Sequence, residues 1–84
     1  MTHMWPEGLP LEVQCDPQET PQRLRLRGRW HTVAEVSVRW RVRRGWWEAG
    51  RWRDYVTVAT RSHLLLTLAR ELPTGAWSLL SLHD

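Results

Sequence analysis

The run from Leu24 to Val42 limits the fold more than any other segment. Its even positions read Leu24, Leu26, Gly28, Trp30, Thr32, Ala34, Val36, Val38, Trp40 and Val42. Most odd positions between them are Arg, His, Glu or Ser. A two-residue alternation of this kind belongs to a half-buried strand. Nineteen residues of unbroken strand would span about 60 Å, too long for so small a domain, so a turn must fall inside. Arg27-Gly28-Arg29 is the only part of the run with a glycine. A three-residue turn with Gly28 at positive φ would set Leu26 opposite Trp30 and Leu24 opposite Thr32, keeping one face apolar. A two-residue turn would mix apolar and basic side chains on one face. The pattern therefore predicts a three-residue, bulged hairpin. Trp30, Val36, Val38, Trp40 and Val42 then point inward, with Arg23, Arg25, Arg27, His31, Arg39, Arg41 and Arg43 outward.

The same period marks further strands. Leu9, Leu11, Val13 and Cys15 alternate with polar residues and Pro10, which suits a strand at a sheet edge. Residues 1–8, with Pro6 and Gly8, are expected to form an irregular tail outside a single domain over 9–84. DPQETPQ (16–22) reads as a loop, DYVTVAT (54–60) as a strand and Arg61-Ser62-His63 as a turn. Residues 63–72 suit either a strand or a helix by composition. The flanking turn signals, at hairpin spacing, favour a strand. LPTG (72–75) is a turn and AWSLLSL (76–82) a final strand. The expectation is an all-β protein: an antiparallel meander of five to six short strands curled into a partly open SH3-like barrel.

Composition excludes several kinds of chemistry. Cys15 is the only cysteine, so no internal disulfide can form, and in line with Leu9, Leu11 and Val13 it reads as a core residue. His3, His31, His63 and His83 show no metal-ligand spacing. There is no glycine-rich phosphate loop and no placed nucleophile–base pair, so neither a cofactor nor a catalytic site is predicted. With no apolar run long enough to cross a membrane and no signal peptide, the expected localisation is cytoplasmic.

Charge is distributed in blocks. Residues 1–22 carry −4, residues 23–53 carry +8 and residues 54–84 carry −1, for a net +3. The chain lacks Lys, Asn, Ile and Phe, as a G+C-rich coding sequence would, so the placement of arginine says more than its abundance. Candidate binding residues are Arg39, Arg41, Arg43, Arg44, Trp46, Trp47, Arg51, Trp52, Arg53 and Tyr55. Arginine forks suit phosphate, and indole faces suit unpaired bases. Equally, arginines on a solvated strand face keep it soluble, and tryptophans in a loop can cover a core. Trp30, Trp40 and Trp77 are expected in the core. Two functions are open: a non-catalytic module for single- or double-stranded nucleic acid, or a protein-interaction module. The latter would be a homodimer or a repair-complex adaptor, pairing through the 9–15 edge or docking around Trp46 and Trp47.

The segments "PLEVQCDPQETPQRLRLRGRWHTVAEVSVRW", "GWWEAGRWRDYVTV" and "LLLTLARELPTGAWSL" resemble a family of small bacterial domains of unknown function. The likeness is carried by Arg27-Gly28-Arg29, Val33 and Val36, Trp40, Arg53-Asp54-Tyr55, and Thr74-Gly75 with Trp77. A similar segment closes the polymerase-like accessory protein of bacterial mutagenic repair cassettes. The resemblance implies a complete small β domain in a DNA-repair setting. It departs at Ser62-His63, where the family usually has Asp-Gly.

Overall fold

In a computed structural model, residues 2–43, 52–72 and 74–84 are described. They form six antiparallel strands: β1 (Thr2–Cys15), β2 (Pro21–Leu26), β3 (Arg29–Arg43), β4 (Trp52–Thr60), β5 (Leu65–Leu72) and β6 (Trp77–His83). Each strand pairs with the next, and β1 pairs with β6 to close the ring. The fold is thus the expected all-β meander, with residues 65–72 a strand. The ring is uneven because its two long strands are each shared between neighbours. β1 pairs with β6 from Thr2 to Leu11 and with β2 from Glu12 to Cys15. β3 pairs with β2 from Arg29 to Thr32 and with β4 from Val33 onward. No helix of the described residues is long and apolar enough to cross a membrane.

Closure changes two expectations at the N-terminus. Residues 2–8 are part of the sheet rather than an irregular tail: Thr2, His3 and Met4 pair with His83, Leu82 and Ser81. An irregularity between Met4 and Leu9 takes up Pro6, which has no N–H to give a ladder. The segment 9–15 is not a free edge either, since β1 has a paired neighbour on each side.

The core is formed by Leu24, Leu26, Val56, Val58, Leu66, Leu68, Leu79 and Leu82, with Trp5, Leu11, Val13, Val33, Val36, Leu64 and Trp77 packed against it. Trp77 takes the core position predicted for it, while Trp30 and Trp40 do not. The first cause is the hairpin. Leu26 pairs with Arg29 and Leu24 with His31, so the turn has two residues, Arg27 and Gly28, rather than three. Both have positive φ, 52° and 78°, the signature of a type I′ turn, whose twist matches that of the strands it joins. Arg29 and His31 therefore share the inward face with the two leucines. Trp30 faces out beneath the Arg23 guanidinium, whose carbon lies 4.7 Å from the ring centroid.

The second cause is a pair of register shifts in β3. Val33 pairs with Thr60 but Glu35 with Ala59, and Val36 pairs with Val58 but Val38 with Thr57. Each shift inserts a residue, Ala34 and then Ser37, and reverses the parity of the strand beyond it. The inward side chains of β3 are then Val33, Val36, Arg39 and Arg41. Val38, Trp40 and Val42 face solvent. A third irregularity, between Gln14 and Cys15, takes Cys15 out of line with Leu11 and Val13 and leaves it exposed.

Candidate binding face

The shifted strand builds a surface that the alternation alone does not predict. Val38, Trp40 and Val42 occupy successive outward positions and are 53%, 40% and 41% exposed. Trp40 lies opposite Tyr55 on β4. Their rings stack nearly parallel, with centroids 5.2 Å apart and planes 10° apart. On the same outward row Arg53 stands beside Val42 and pairs with Glu71 across β5. Arg53 Nε donates to Glu71 Oε1 at 2.8 Å. Its guanidinium carbon is 6.0 Å from the Tyr55 ring centroid. The result is an apolar strip with an aromatic centre, bordered by a neutralised ion pair.

Arg39 and Arg41 do not join this face as predicted. The register shifts turn them to the other side of β3, opposite Val56 and Asp54. Arg41 grips Asp54 through two bonds, Nε to Oδ1 at 2.6 Å and Nη2 to Oδ2 at 3.1 Å. Asp54 is only 4% exposed, and the Arg41 bonds hold its carboxyl below the ordinary aspartate value, against an opposing effect of burial. Arg39 Nη2 donates to the Glu19 backbone carbonyl at 3.4 Å. Arg70, from β5, reaches the Glu19 carboxylate with Nη2 at 3.3 Å. Glu19 thus ties the β1–β2 turn to β3 and β5. The turn itself is held by Asp16, whose Oδ1 accepts the N–H groups of Gln18 and Thr20, each at 2.9 Å. Nearby Cys15, although exposed by surface area, has its thiol pKa pushed up chiefly by partial desolvation, which makes it a poor nucleophile at neutral pH.

Of the other predicted site residues, Trp52 is 39% exposed and pairs with Arg43 and Leu72. Arg44, Trp46, Trp47, Arg51 and the side chain of Arg43 lie outside the described residues. Val38 and Val42 are surface residues that simple alternation assigns to the core. A signal for this was present in Val33 and Val36, which are three apart and can share a face only across an inserted residue. Among the described residues no group of three or more His, Cys, Asp or Glu could hold a metal ion.

The Asp54–Arg41 pair gives a pH prediction with a definite sign. A carboxyl whose folded pKa is depressed stabilises the fold above its unfolded pKa, and that contribution is lost as pH falls through the folded value. Asp54→Asn is therefore expected to lower the thermal midpoint at pH 7 and to flatten the acid limb of the stability curve. Thermal unfolding of both proteins from pH 7 to pH 2 checks this. Parallel curves over that range would show that Asp54 is not the linked group.

No protein-family model, curated protein or solved structure gives a significant match to this chain.

Proposed function

We propose that this domain is a non-catalytic protein-interaction module whose contact surface is the outward face of β3 and β4. The observation that carries the reading is the solvent-facing row Val38–Trp40–Val42, backed by Tyr55. A tryptophan flanked by apolar residues is the composition of an interface hot spot. The row also reads the same in both directions about Trp40. A two-fold interface needs a self-complementary patch, and a second copy laid antiparallel would set each Val38 against the partner copy's Val42. Electrostatics favour protein over polyanion on this face, because Arg53, which stands on it, is ion-paired with Glu71. Elsewhere on the ring Arg25, Arg41 and Arg70 are ion-paired with Glu12, Asp54 and Glu19.

A second reading, single-stranded nucleic acid in a repair setting, draws on the Trp40–Tyr55 stack beside Arg53 and on the +8 block over residues 23–53. Base stacking on an exposed ring with arginine near it is how many sheet faces hold single strands. One set of measurements separates the two. Sedimentation equilibrium is expected to show concentration-dependent dimers that Trp40→Ala weakens at least about thirtyfold, the lower bound for a hot spot. Oligonucleotide titrations followed by tryptophan fluorescence at two salt concentrations should then show no binding. A chain that stays monomeric but binds oligonucleotide, more weakly at higher salt, would replace the first reading with the second.

A further inference from the structure

A different part of the ring carries an independent site. We infer that the cavity between the β2–β3 turn and the β4–β5 turn binds a carboxylate attached to an apolar group. The cavity holds about 360 Å³, within the range of small-ligand sites. Leu26, Leu64 and Leu82 line it, and so do Arg27, Arg29 and His31. The basic residues are there because the two-residue turn gives Arg29 and His31 the inward face, opposite Leu26 and Leu24. An arginine at an inward position over leucines places a guanidinium where an apolar side chain would close the barrel.

Arg27 and Arg29 also lack what Arg25, Arg41, Arg53 and Arg70 possess. Among the described residues, neither makes an ion pair with an acid. Asp84 also lines the cavity and takes part in an interaction of its own. His31 is oriented by a hydroxyl relay. Thr60 Oγ1 accepts the Leu64 N–H at 3.1 Å and lies 2.8 Å from Ser62 Oγ. Ser62 Oγ lies 2.8 Å from His31 Nδ1. In the tautomer in which Ser62 donates to Nδ1, the neutral ring carries its proton on Nε2, and that N–H can donate to a ligand. Two guanidiniums and one ring N–H suit a carboxylate, and the leucine floor suits an aliphatic body. Both a free fatty acid and the C-terminus of a peptide ending in leucine present this chemistry.

Amide-resolved NMR titration of the full chain tests the inference. The probes are octanoate, octanol, and a leucine-terminated tetrapeptide with a free or an amidated C-terminus. Octanoate or the free-acid peptide is expected to shift the amides of residues 26–31 and 64 saturably, with Kd of about 1 mM or below. Octanol and the amidated peptide should bind at least about fivefold more weakly, and the tighter of the two acids identifies the source. Arg29→Gln, whose side chain is exposed and whose fold is checked by spectral dispersion, should weaken the acid at least about fivefold. His31→Phe, which keeps a ring but removes the donor, should weaken it as well. The inference is overturned if no acid binds at the highest soluble concentration, if octanol binds as well as octanoate, or if both variants bind like the wild type.

Discussion

Leu66→Ala is expected to cost about 2–5 kcal/mol of stability, the range for removing a fully buried leucine and leaving a cavity. Leu65→Ala should cost far less. The two residues are adjacent, yet Leu66 is 0% exposed and Leu65 is 43% exposed, because successive side chains of a strand point to opposite faces. Leu66 sits opposite Val58 and Leu82 in the core. Domains of this size are held by roughly 5–10 kcal/mol, so losing the Leu66 contacts removes a large share of the total. The urea midpoint should fall by about 1–3 M for Leu66→Ala at an unchanged m-value, with the Leu65→Ala midpoint close to that of the wild type. Equal losses at both positions would contradict strand geometry in a segment whose composition also suits a helix.

The alternation that makes β5 legible misleads in β3, and the reason is local. Parity counting assumes that each residue advances the strand by one position. In β3 two residues, Ala34 and Ser37, advance the chain without advancing the register, and the turn before it is one residue shorter than the apolar pattern prefers. With three interruptions, the even and odd sets exchange roles along the run. Leu24 and Leu26 face in as expected, whereas Trp30, Val38, Trp40 and Val42 face out. Valine and tryptophan at outward positions look identical to core residues in sequence, so only the cross-strand pairing distinguishes them. The turn at Ser62-His63 shows a smaller departure of the same kind. His63 has φ of 69°, a conformation that favours glycine. The strand order was legible because Pro, Gly and charged residues cluster at each reversal.

Charge was legible as blocks but not as pairs. The −4 lead-in and the +8 segment resemble two separate surfaces in sequence. Ring closure instead mixes them. Glu12 on β1 meets Arg25 on β2 at 3.6 Å, and Glu19 reaches Arg39 and Arg70 on two distant strands. Such exposed pairs contribute little to stability. They do reduce the free positive charge on the described surface, and so leave apolar exposure on β3 and the unpaired Arg27 and Arg29 as its most informative features.

Gly8→Ala is expected to cost about 2–5 kcal/mol, an unusually large effect for a position so near the N-terminus. Gly8 has φ of 82°, where a side chain brings roughly 1–2 kcal/mol of strain. A Cβ there would also lie 2.9 Å from Ser78 Cβ and 3.2 Å from Ser78 Oγ. Ser78 cannot swing aside, because the close atom is its own Cβ and β6 is held between β1 and β5. Relieving the overlap means moving a strand, at a further cost of about 1–3 kcal/mol. Gly28→Ala supplies the comparison: φ is similar at 78°, but a Cβ there meets nothing within 4 Å, so only the strain applies. Urea unfolding of both variants separates the two contributions, and amide exchange at Thr2, His3 and Met4 shows where Gly8→Ala acts. Faster exchange there would come from loosening the β1–β6 seam on the N-terminal side of the irregularity. If the two variants lose equal stability, the Ser78 contact adds nothing. If Gly8→Ala is neutral, residues 2–8 are not held against β6, and the seam rests on the pairing of Leu9, Pro10 and Leu11.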